Sequence, residues 1–230
     1  MAETELGTVV RHIRKLAAFR STKEMTDHQL LEAFLANRDD TAFAALVKRH
    51  GPLVLAVSRR VLQQLQDAED AFQATFLVLA QSTSIRKTEA VGSWLHGVAY
   101  RIALRAKRDI TRRRVHEREV KALPHSSPSS DLAWPEVQVI LDEEIQGLPE
   151  KYRAVFVLCC LEGKSGAEVA KELGLKEGTV RSRLSQARRK LQHRLSRRCD
   201  RQRGGAGRAV QLLRRHLRRP RDALRARRAA

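Results

Sequence analysis

Three residues at fixed spacing in the C-terminal third of the chain predict a pair of helices joined by a tight turn. Ala170 is small enough to let two helices approach, Gly174 follows four positions later, and Val180 follows six after that. Glycine adopts the positive φ that such a turn needs, and the β-branched valine packs the second helix against the first. Ser165 and Glu168 form a capping box at the start of the first helix. Together these features predict a helix-turn-helix.

The second helix of this motif carries a polar and basic face, which we expect to contact DNA. In helix-turn-helix proteins the second helix enters the major groove, where its first residues meet base edges and neighbouring arginines bind phosphates. Arg181 suits a two-bond contact with guanine, and Gln186 suits one with adenine. The candidate face consists of Thr179, Arg181, Ser182, Ser185, Gln186 and Arg188. The alternative is an exposed charged helix that binds nothing.

The charge balance also favours a nucleic-acid partner. Lysines and arginines number 45 against 26 acidic residues, which gives a net charge of +19. Such an excess favours binding to an acidic polymer, with nucleic acid first and an anionic membrane surface second. No run approaches the roughly 18 apolar residues of a membrane helix, so we expect no stable membrane insertion. The 3 cysteines cannot form a disulfide framework, which favours a reducing, cytoplasmic location.

The sequence shows helical periodicity both before and after a short segment, 124–131, that is rich in proline and serine. Apolar residues recur every three or four positions before and after it, and no stretch alternates as a β-strand does. Thr26 with Gln29 predicts a capping box, and Asp40 is expected to cap the next helix. Further helices are expected from Asp67 to about Gln81 and from about Gly92 to Arg114.

The expected fold class is therefore all-α, with two small helical domains joined by a flexible linker and a helix-turn-helix in the second domain. The predicted segments are an N-terminal extension (1–25), a first domain (26–114), the linker (115–134), a second domain (135–198) and an arginine-rich tail (199–230). The composition of the tail fits either a solvated, disordered segment or an arm that binds phosphates.

The helix that begins at Asp67 has an acidic N-terminal end in an otherwise basic chain. Glu69, Asp70 and Gln73 lie there, where the helix dipole favours negative charge, while Phe72 faces the interior. An acidic surface does not suit DNA, but it suits a positively charged protein. Two alternatives stay open, which are ordinary helix-end chemistry and a metal-binding carboxylate cluster. No distant histidine or acidic motif completes a ligand set for the second.

The next helix is basic and follows a polar, basic loop. The loop contains Arg86 and Lys87, and the helix carries Arg101 and Arg105 after Trp94. A basic helix beside an adaptable loop, with an aromatic residue at the junction, suits a surface that holds one DNA strand apart from its partner. Taken on its own, a tryptophan at position 94 is more often a core residue.

Four motifs in fixed order resemble the extracytoplasmic-function (ECF) RNA polymerase sigma factors. They are DAEDAFQATF at 67–76, GSWLHGVAYR at 92–101, LPEKYR at 148–153 and GTVRSRLSQAR at 178–188. The resemblance covers about Thr26 to Arg198. Ser185 and Gln186 stand where many members have a bulky or basic pair, so a relative's promoter sequence does not carry over. The two terminal segments lie outside the resemblance.

The resemblance implies a non-enzymatic subunit that binds core RNA polymerase, directs it to promoter DNA and works near the nucleoid in the cytoplasm. It implies no catalytic residue, metal or cofactor, and any regulator would be a separate anti-sigma factor. The first domain corresponds to sigma region 2, and the second to region 4. The implied roles are polymerase binding for Glu69, Asp70 and Gln73, contact with the −10 element for Arg86, Lys87, Arg101 and Arg105, and contact with the −35 element for Thr179, Arg181, Ser182, Ser185, Gln186 and Arg188.

Other functions are weaker fits to the sequence, and one of them, an RNA-binding basic protein, fits the charge but not the recognition helix. A stand-alone helix-turn-helix regulator leaves the acidic helix and the first domain unexplained. A metal-dependent nuclease would have to use Asp67, Glu69 and Asp70. Gly163-Lys164-Ser165 resembles the end of a phosphate-binding loop, but that motif requires glycine where this chain has Leu158.

Overall fold

The computed structural model describes residues 22, 24–82, 90–119 and 134–201. All regular elements in these ranges are helical, which confirms the predicted fold class. The helices are α1 (Asp27–Asn37), α2 (Asp40–Val61), α3 (Leu65–Gln81), α4 (Val91–Glu119), α5 (Trp134–Gln146), α6 (Glu150–Phe156, extended by a π-helical turn over Val157–Leu161), α7 (Gly166–Glu172) and α8 (Glu177–Arg201). The predictions for residues 1–21, for the loop with Arg86 and Lys87, for 120–133 and for the tail from 202 lie outside the described residues.

The starts of α1 and α2 are fixed by side-chain caps. The predicted capping box is present, since the Thr26 N–H donates to Gln29 Oε1 at 2.8 Å and the Gln29 N–H donates to Thr26 Oγ1 at 3.3 Å. The predicted cap of α2 is wrong by one residue. Asp39 is the cap, with its Oδ1 accepting from the Thr41 N–H at 2.9 Å, and Asp40 is the first helical residue. Adjacent aspartates are both chemically competent caps, so the sequence alone does not distinguish them.

Helices α1 to α4 form a bundle around leucine, valine and phenylalanine. Leu30, Leu46 and Leu95 are fully buried in it. The rings of Phe34 and Phe43 lie with centroids 4.7 Å apart and join the helices at one end. Burying each such side chain contributes about 1.5–3 kcal/mol, so the bundle is held mainly by apolar packing.

Helices α6 to α8 form the predicted helix-turn-helix. Gly174 has a φ of 62°, and Val180 is buried against Ala170 in the same cluster. The Ser165 capping box is present, with the Ser165 N–H donating to Glu168 Oε2 at 2.7 Å and the Glu168 N–H donating to Ser165 Oγ at 3.2 Å. Ala170, Gly174 and Val180 therefore have the roles in the turn and in the helix packing that their spacing predicted.

The two helical blocks pack against one another. Helix α5 contacts α2 and α4, and the π-helical turn after α6 also contacts α4. Ile145, Leu148 and Phe156 belong to the same buried cluster as Leu46 and Leu95. The sequence pattern predicted two blocks but gave no indication that they share a core.

Candidate nucleic-acid and polymerase interfaces

Helix α8 has one buried face that fixes it in place. Val180, Ala187, Leu191 and Leu195 all lie on this face and are buried. Their spacing of four or seven residues places them on one side of a helix. The polar positions between them therefore point away from the domain, as the helix-turn-helix interpretation requires.

The predicted base-reading residues lie on the outer side of α8, with different degrees of exposure. Arg181, Ser182 and Ser185 are exposed, while Thr179 and Arg188 are partly buried. One guanidinium nitrogen of Arg188 lies 3.7 Å from Cys160 Sγ, so this side chain is turned partly toward its own domain.

Gln186 is exposed and already has a partner inside the protein. The Tyr152 hydroxyl donates to Gln186 Oε1 at 2.7 Å. The ammonium groups of Lys151 and Lys190 lie 5.1 and 5.5 Å from the centroid of the Tyr152 ring, within the range of a cation–π contact. The bond uses one of the two lone pairs of the amide oxygen, fixes the orientation of the amide and leaves the amide N–H groups of Gln186 as hydrogen-bond donors.

The acidic end of α3 lies on the surface, with apolar side chains further along the helix. Glu69, Asp70 and Gln73 are exposed, and Leu77 and Val78 are exposed beyond them. Leu77 is 60% exposed although it lies in the middle of a packed bundle helix. Sequence reasoning did not select these two residues. The sequence feature that could have identified them is a pair of adjacent apolar residues at positions that do not belong to the buried face of α3.

Helix α4 carries its basic residues along one outer face. Arg101 and Arg105 are exposed, as expected, and Arg108 and Arg112 continue the row at helical spacing. The last two were not selected from the sequence, although the same spacing identifies them. Trp94 is half-buried and packs against the bundle core. Arg86 and Lys87 lie outside the described residues.

A cluster of buried ionisable groups, also missed by sequence reasoning, joins α1 and α2 to the segment after α6. His50 has no exposed surface, and its two ring nitrogens lie 2.9 Å from Asp27 Oδ2 and 2.5 Å from Glu162 Oε1. Lys164 Nζ lies 3.1 Å from Glu162 and 2.7 Å from Glu172. Arg49 also pairs with Asp27.

The electrostatics of this cluster stabilise the charged forms of His50, Asp27 and Glu162, but not that of Glu172. Burial alone lowers the pKa of His50, but hydrogen bonds and charges from Asp27 and Glu162 outweigh it and raise the pKa to about 9. Burial raises the pKa of Asp27, but the hydrogen bond and charge of His50 hold it well below its ordinary value. Burial and the charge of Asp27 raise the pKa of Glu172 to about 7, against the opposing effect of Lys164.

A second buried polar contact joins α2 and α4 to α5. The Arg60 guanidinium donates to both Asp142 oxygens, at 2.7 and 2.9 Å. His96 Nε2 lies 3.1 Å from Asp142 Oδ1, and Gln146 Nε2 lies 2.6 Å from His96 Nδ1. Burial raises the pKa of Asp142, but the Arg60 charge and the His96 hydrogen bond give a net lowering. Asp142 is therefore a buried carboxylate with all its partners across the boundary between the blocks.

Two sequence families match this chain in the order in which its blocks occur. The family described as Sigma-70 region 2 matches residues 46–114, and the one described as Sigma-70, region 4 matches residues 138–191. The ECF RNA polymerase sigma factor SigM of Mycobacterium tuberculosis is 34% identical over 181 residues, which cover 75% of this chain and 86% of that protein. The chain belongs to the ECF sigma factors.

Further relatives of this sigma factor include the ECF RNA polymerase sigma factor SigE of Mycolicibacterium smegmatis. It is 30% identical over 154 residues, which cover 64% of this chain and 58% of that protein. Among solved structures, the sigma factor RpoE from Bartonella quintana, in complex with the anti-sigma factor NepR, is 22% identical. That alignment covers 67% of this chain and 96% of RpoE, with a TM-score of 0.32.

As a sigma factor, this protein directs core RNA polymerase to specific promoters and initiates DNA-templated transcription. No described helix is both long and apolar enough to cross a membrane. Within the described ranges, no three or more His, Cys, Asp or Glu side chains are grouped so that they could hold a metal ion.

Proposed function

We propose that this sigma factor reads the −35 element with the exposed side of α8. The proposal rests on one observation, which is that this helix has a buried face and an exposed face. Its buried face is locked by Val180, Leu191 and Leu195, while Arg181, Ser182 and Ser185 are exposed on its N-terminal half. A helix held this rigidly presents its first two turns to the major groove at a fixed angle, which is what base readout requires.

The residues of that surface differ in how accessible their polar groups are to DNA. Arg181 reads guanine, with Thr179, Ser182 and Ser185 beside it. Gln186 uses its amide N–H groups, because its oxygen is held by Tyr152. It therefore favours hydrogen-bond acceptors on base edges, such as purine N7 or thymine O4. Arg188, which is partly turned inward, binds a phosphate.

We assign polymerase binding to α3 and contact with the −10 element to α4. Glu69, Asp70 and Gln73 form the polar part of the polymerase-binding surface, and Leu77 and Val78 add exposed apolar area. A surface of charge surrounding apolar side chains is typical of specific protein interfaces. On α4 the exposed row that includes Arg101 and Arg105 binds the backbone of the separated strand, together with Arg86 and Lys87 from the loop.

The protein contributes no catalytic step of its own, acts at the nucleoid in the cytoplasm, and is regulated by a separate anti-sigma factor. The RpoE structure from Bartonella quintana contains such a partner, NepR. Residues 26–114 and 135–198 correspond to the two functional domains.

The test is run-off transcription with purified core polymerase. Arg181→Ala should lower transcription from a promoter with an intact −35 element by roughly five- to 150-fold, the equivalent of about 1–3 kcal/mol, and should have little effect on a template whose −35 element is scrambled. Arg197→Ala, which removes another exposed arginine of α8, is the matched control. Equal losses from both templates, or from both variants, would contradict the assignment.

A second experiment separates polymerase binding from DNA binding. Asp70→Ala should weaken capture of core polymerase and leave the binding of a −35 duplex unchanged. Asp40→Ala removes another exposed aspartate from the same domain and should change neither. If Asp70→Ala retains full polymerase affinity, α3 is not the docking helix.

A further inference from the structure

Helix α4 carries a row of arginines that is longer than the proposed contact with the −10 element needs. Successive residues of an α-helix are rotated by about 100°, which places four exposed arginines of α4 within about 60° of one another around its axis. They are Arg101, Arg105, Arg108 and Arg112. At 1.5 Å per residue the row is about 16 Å long. We call Arg108 and Arg112, which form its C-terminal half, the distal pair.

The row has a fixed orientation because the opposite side of α4 is packed against the core. Ala103 is fully buried there, and Ile110 packs against the buried apolar cluster. Ile110 lies only two positions before Arg112, so the packing supports nearly the whole length of the row. The four arginines therefore project from one straight and rigid support.

The row has no partner within the part of the chain that the structure describes. Arginines that stabilise this fold bind carboxylates, as Arg49 does with Asp27 and Arg60 does with Asp142. None of the four arginines of the row forms an ion pair with a described acidic side chain. Like charges three or four positions apart repel one another and destabilise a helix. A row of this kind therefore suits an anionic partner outside the fold.

The two halves of the row differ in the chemistry around them. Trp94 is half-buried on the same side of α4, before Arg101, and aromatic side chains are characteristic of sites that stack unpaired bases. Residues 101–119 include no phenylalanine, tyrosine or tryptophan. The stretch 101–113 has 6 basic residues against the single acidic Asp109. The distal pair thus offers charge without base stacking, which suits the phosphates of an intact duplex.

We infer that the distal pair binds backbone phosphates of double-stranded promoter DNA on the −35 side of the −10 element. The inference rests on the proposed function, because it takes Arg101 and Arg105 to contact the −10 element and α8 to read the −35 element. The chain runs from the C-terminal end of α4 toward the block that contains α8. The distal pair therefore lies at the end of the row that leads to the −35 reader.

The length of the row sets how far this contact extends. Phosphates of one strand are about 3.4 Å apart along the duplex axis, so a row about 16 Å long spans about five of them. The distal pair reaches phosphates about three to five positions beyond the one at Arg101. Because phosphates are the same at every base pair, the pair adds affinity and fixes position without any preference for base sequence.

The test measures the salt dependence of binding, with the protein bound to core polymerase. The DNA is forked, so that it is double-stranded from the −35 element to the edge of the −10 element and single-stranded beyond. Each phosphate contact contributes about 0.9 to the slope of log affinity against log salt. Arg108→Ala with Arg112→Ala should therefore reduce the slope by about 1.8. Between about 50 and 200 mM salt, the affinity of this variant should fall about twelvefold less than that of the unmodified protein.

The same helix supplies a matched control. Lys107→Ala with Arg113→Ala removes the same charge from exposed positions of α4, but these lie about 80° or more from the row around the helix axis. The control should keep the unmodified slope. Equal reductions in both double variants would show that only net charge matters and would overturn the inference. So would an unchanged slope in the variant without the distal pair.

Uncharged methylphosphonate linkages locate the contact on the DNA. They are placed over the first five double-stranded positions next to the −10 element, in each strand separately. At the contacted positions they should weaken binding of the unmodified protein and of the control variant. They should have no further effect once Arg108 and Arg112 are alanine, because the contact is already absent. Losses of the same size in that variant would contradict the inference.

A single-stranded oligonucleotide with the −10 sequence separates this inference from the proposed function. The variant without the distal pair should bind it as tightly as the unmodified complex does, whereas Arg101→Ala with Arg105→Ala should bind it more weakly. Weaker binding without the distal pair would place Arg108 and Arg112 on the separated strand and refute the inference. If the Arg101 and Arg105 variant binds normally, the proposed −10 contact fails instead, and the forked DNA still reports on the distal pair.

Discussion

The hydrogen bond between Tyr152 and Gln186 gives a sharp prediction about promoter recognition. Tyr152→Phe keeps the ring, and with it the nearby ammonium groups of Lys151 and Lys190, but removes the hydroxyl that donates to Gln186 Oε1 at 2.7 Å. The bond lies on the surface, so we expect its loss to destabilise the fold by less than about 1 kcal/mol. The main effect should be on base preference.

The size of the expected change in base preference follows from the contact that the Tyr152–Gln186 hydrogen bond hinders. A two-bond contact with adenine needs the glutamine oxygen as an acceptor and the amide N–H as a donor. The bond from Tyr152 uses one lone pair of this oxygen and fixes the direction of the amide, so the unmodified protein must break that bond to turn the amide toward an adenine edge. The gain in adenine preference is therefore limited to the net value of that bond, about 0.5–1.5 kcal/mol, or roughly two- to twelvefold in relative affinity.

The assay is competition between −35 duplexes that differ at single base pairs, with the full-length protein bound to core polymerase. Tyr152→Phe should raise the preference for adenine at one position and leave the others unchanged. In a Gln186→Ala background the same substitution should have no effect, since the two residues then no longer interact. An unaltered preference, or the same change in both backgrounds, would refute the reasoning.

Three further predictions concern stability and docking. Gly174→Ala should lower the free energy of unfolding by about 1 kcal/mol, because Gly174 has a φ of 62° and only backbone strain opposes a methyl group there. Gly178→Ala, at a helical position with equal space, should be neutral or stabilising in the same urea titration. His50 has a pKa raised to about 9, so its contribution is complete below about pH 6.5 and lost as the pH rises through 9. Unfolding titrations should lose about 3 kcal/mol over that window, and His50→Gln should flatten the loss. Leu191→Ala, at a fully buried site, should cost about 2–5 kcal/mol in thermal unfolding, whereas Leu77→Ala should leave stability unchanged and weaken polymerase capture.

The parts of the fold that the sequence predicted well depend on residues near one another in the chain. A capping box needs two side chains three positions apart, and the helix-turn-helix needs Ala170, Gly174 and Val180 within eleven positions. Both were confirmed. Where two neighbours had equal chemistry, as with Asp39 and Asp40, the prediction was wrong by one residue. Helix α4 also continues to Glu119, past the predicted end at Arg114.

The buried polar contacts between the two helical blocks could not be predicted in this way. Arg60 and Asp142 are 82 positions apart, and His50 and Glu162 are 112 apart. The sequence around a histidine on an apolar helix face does not show that its partner is a distant glutamate, because core histidines with other hydrogen-bond partners have the same local sequence. The predicted roles of the α3, α4 and α8 surfaces remain predictions, and the structure adds which of their side chains are available.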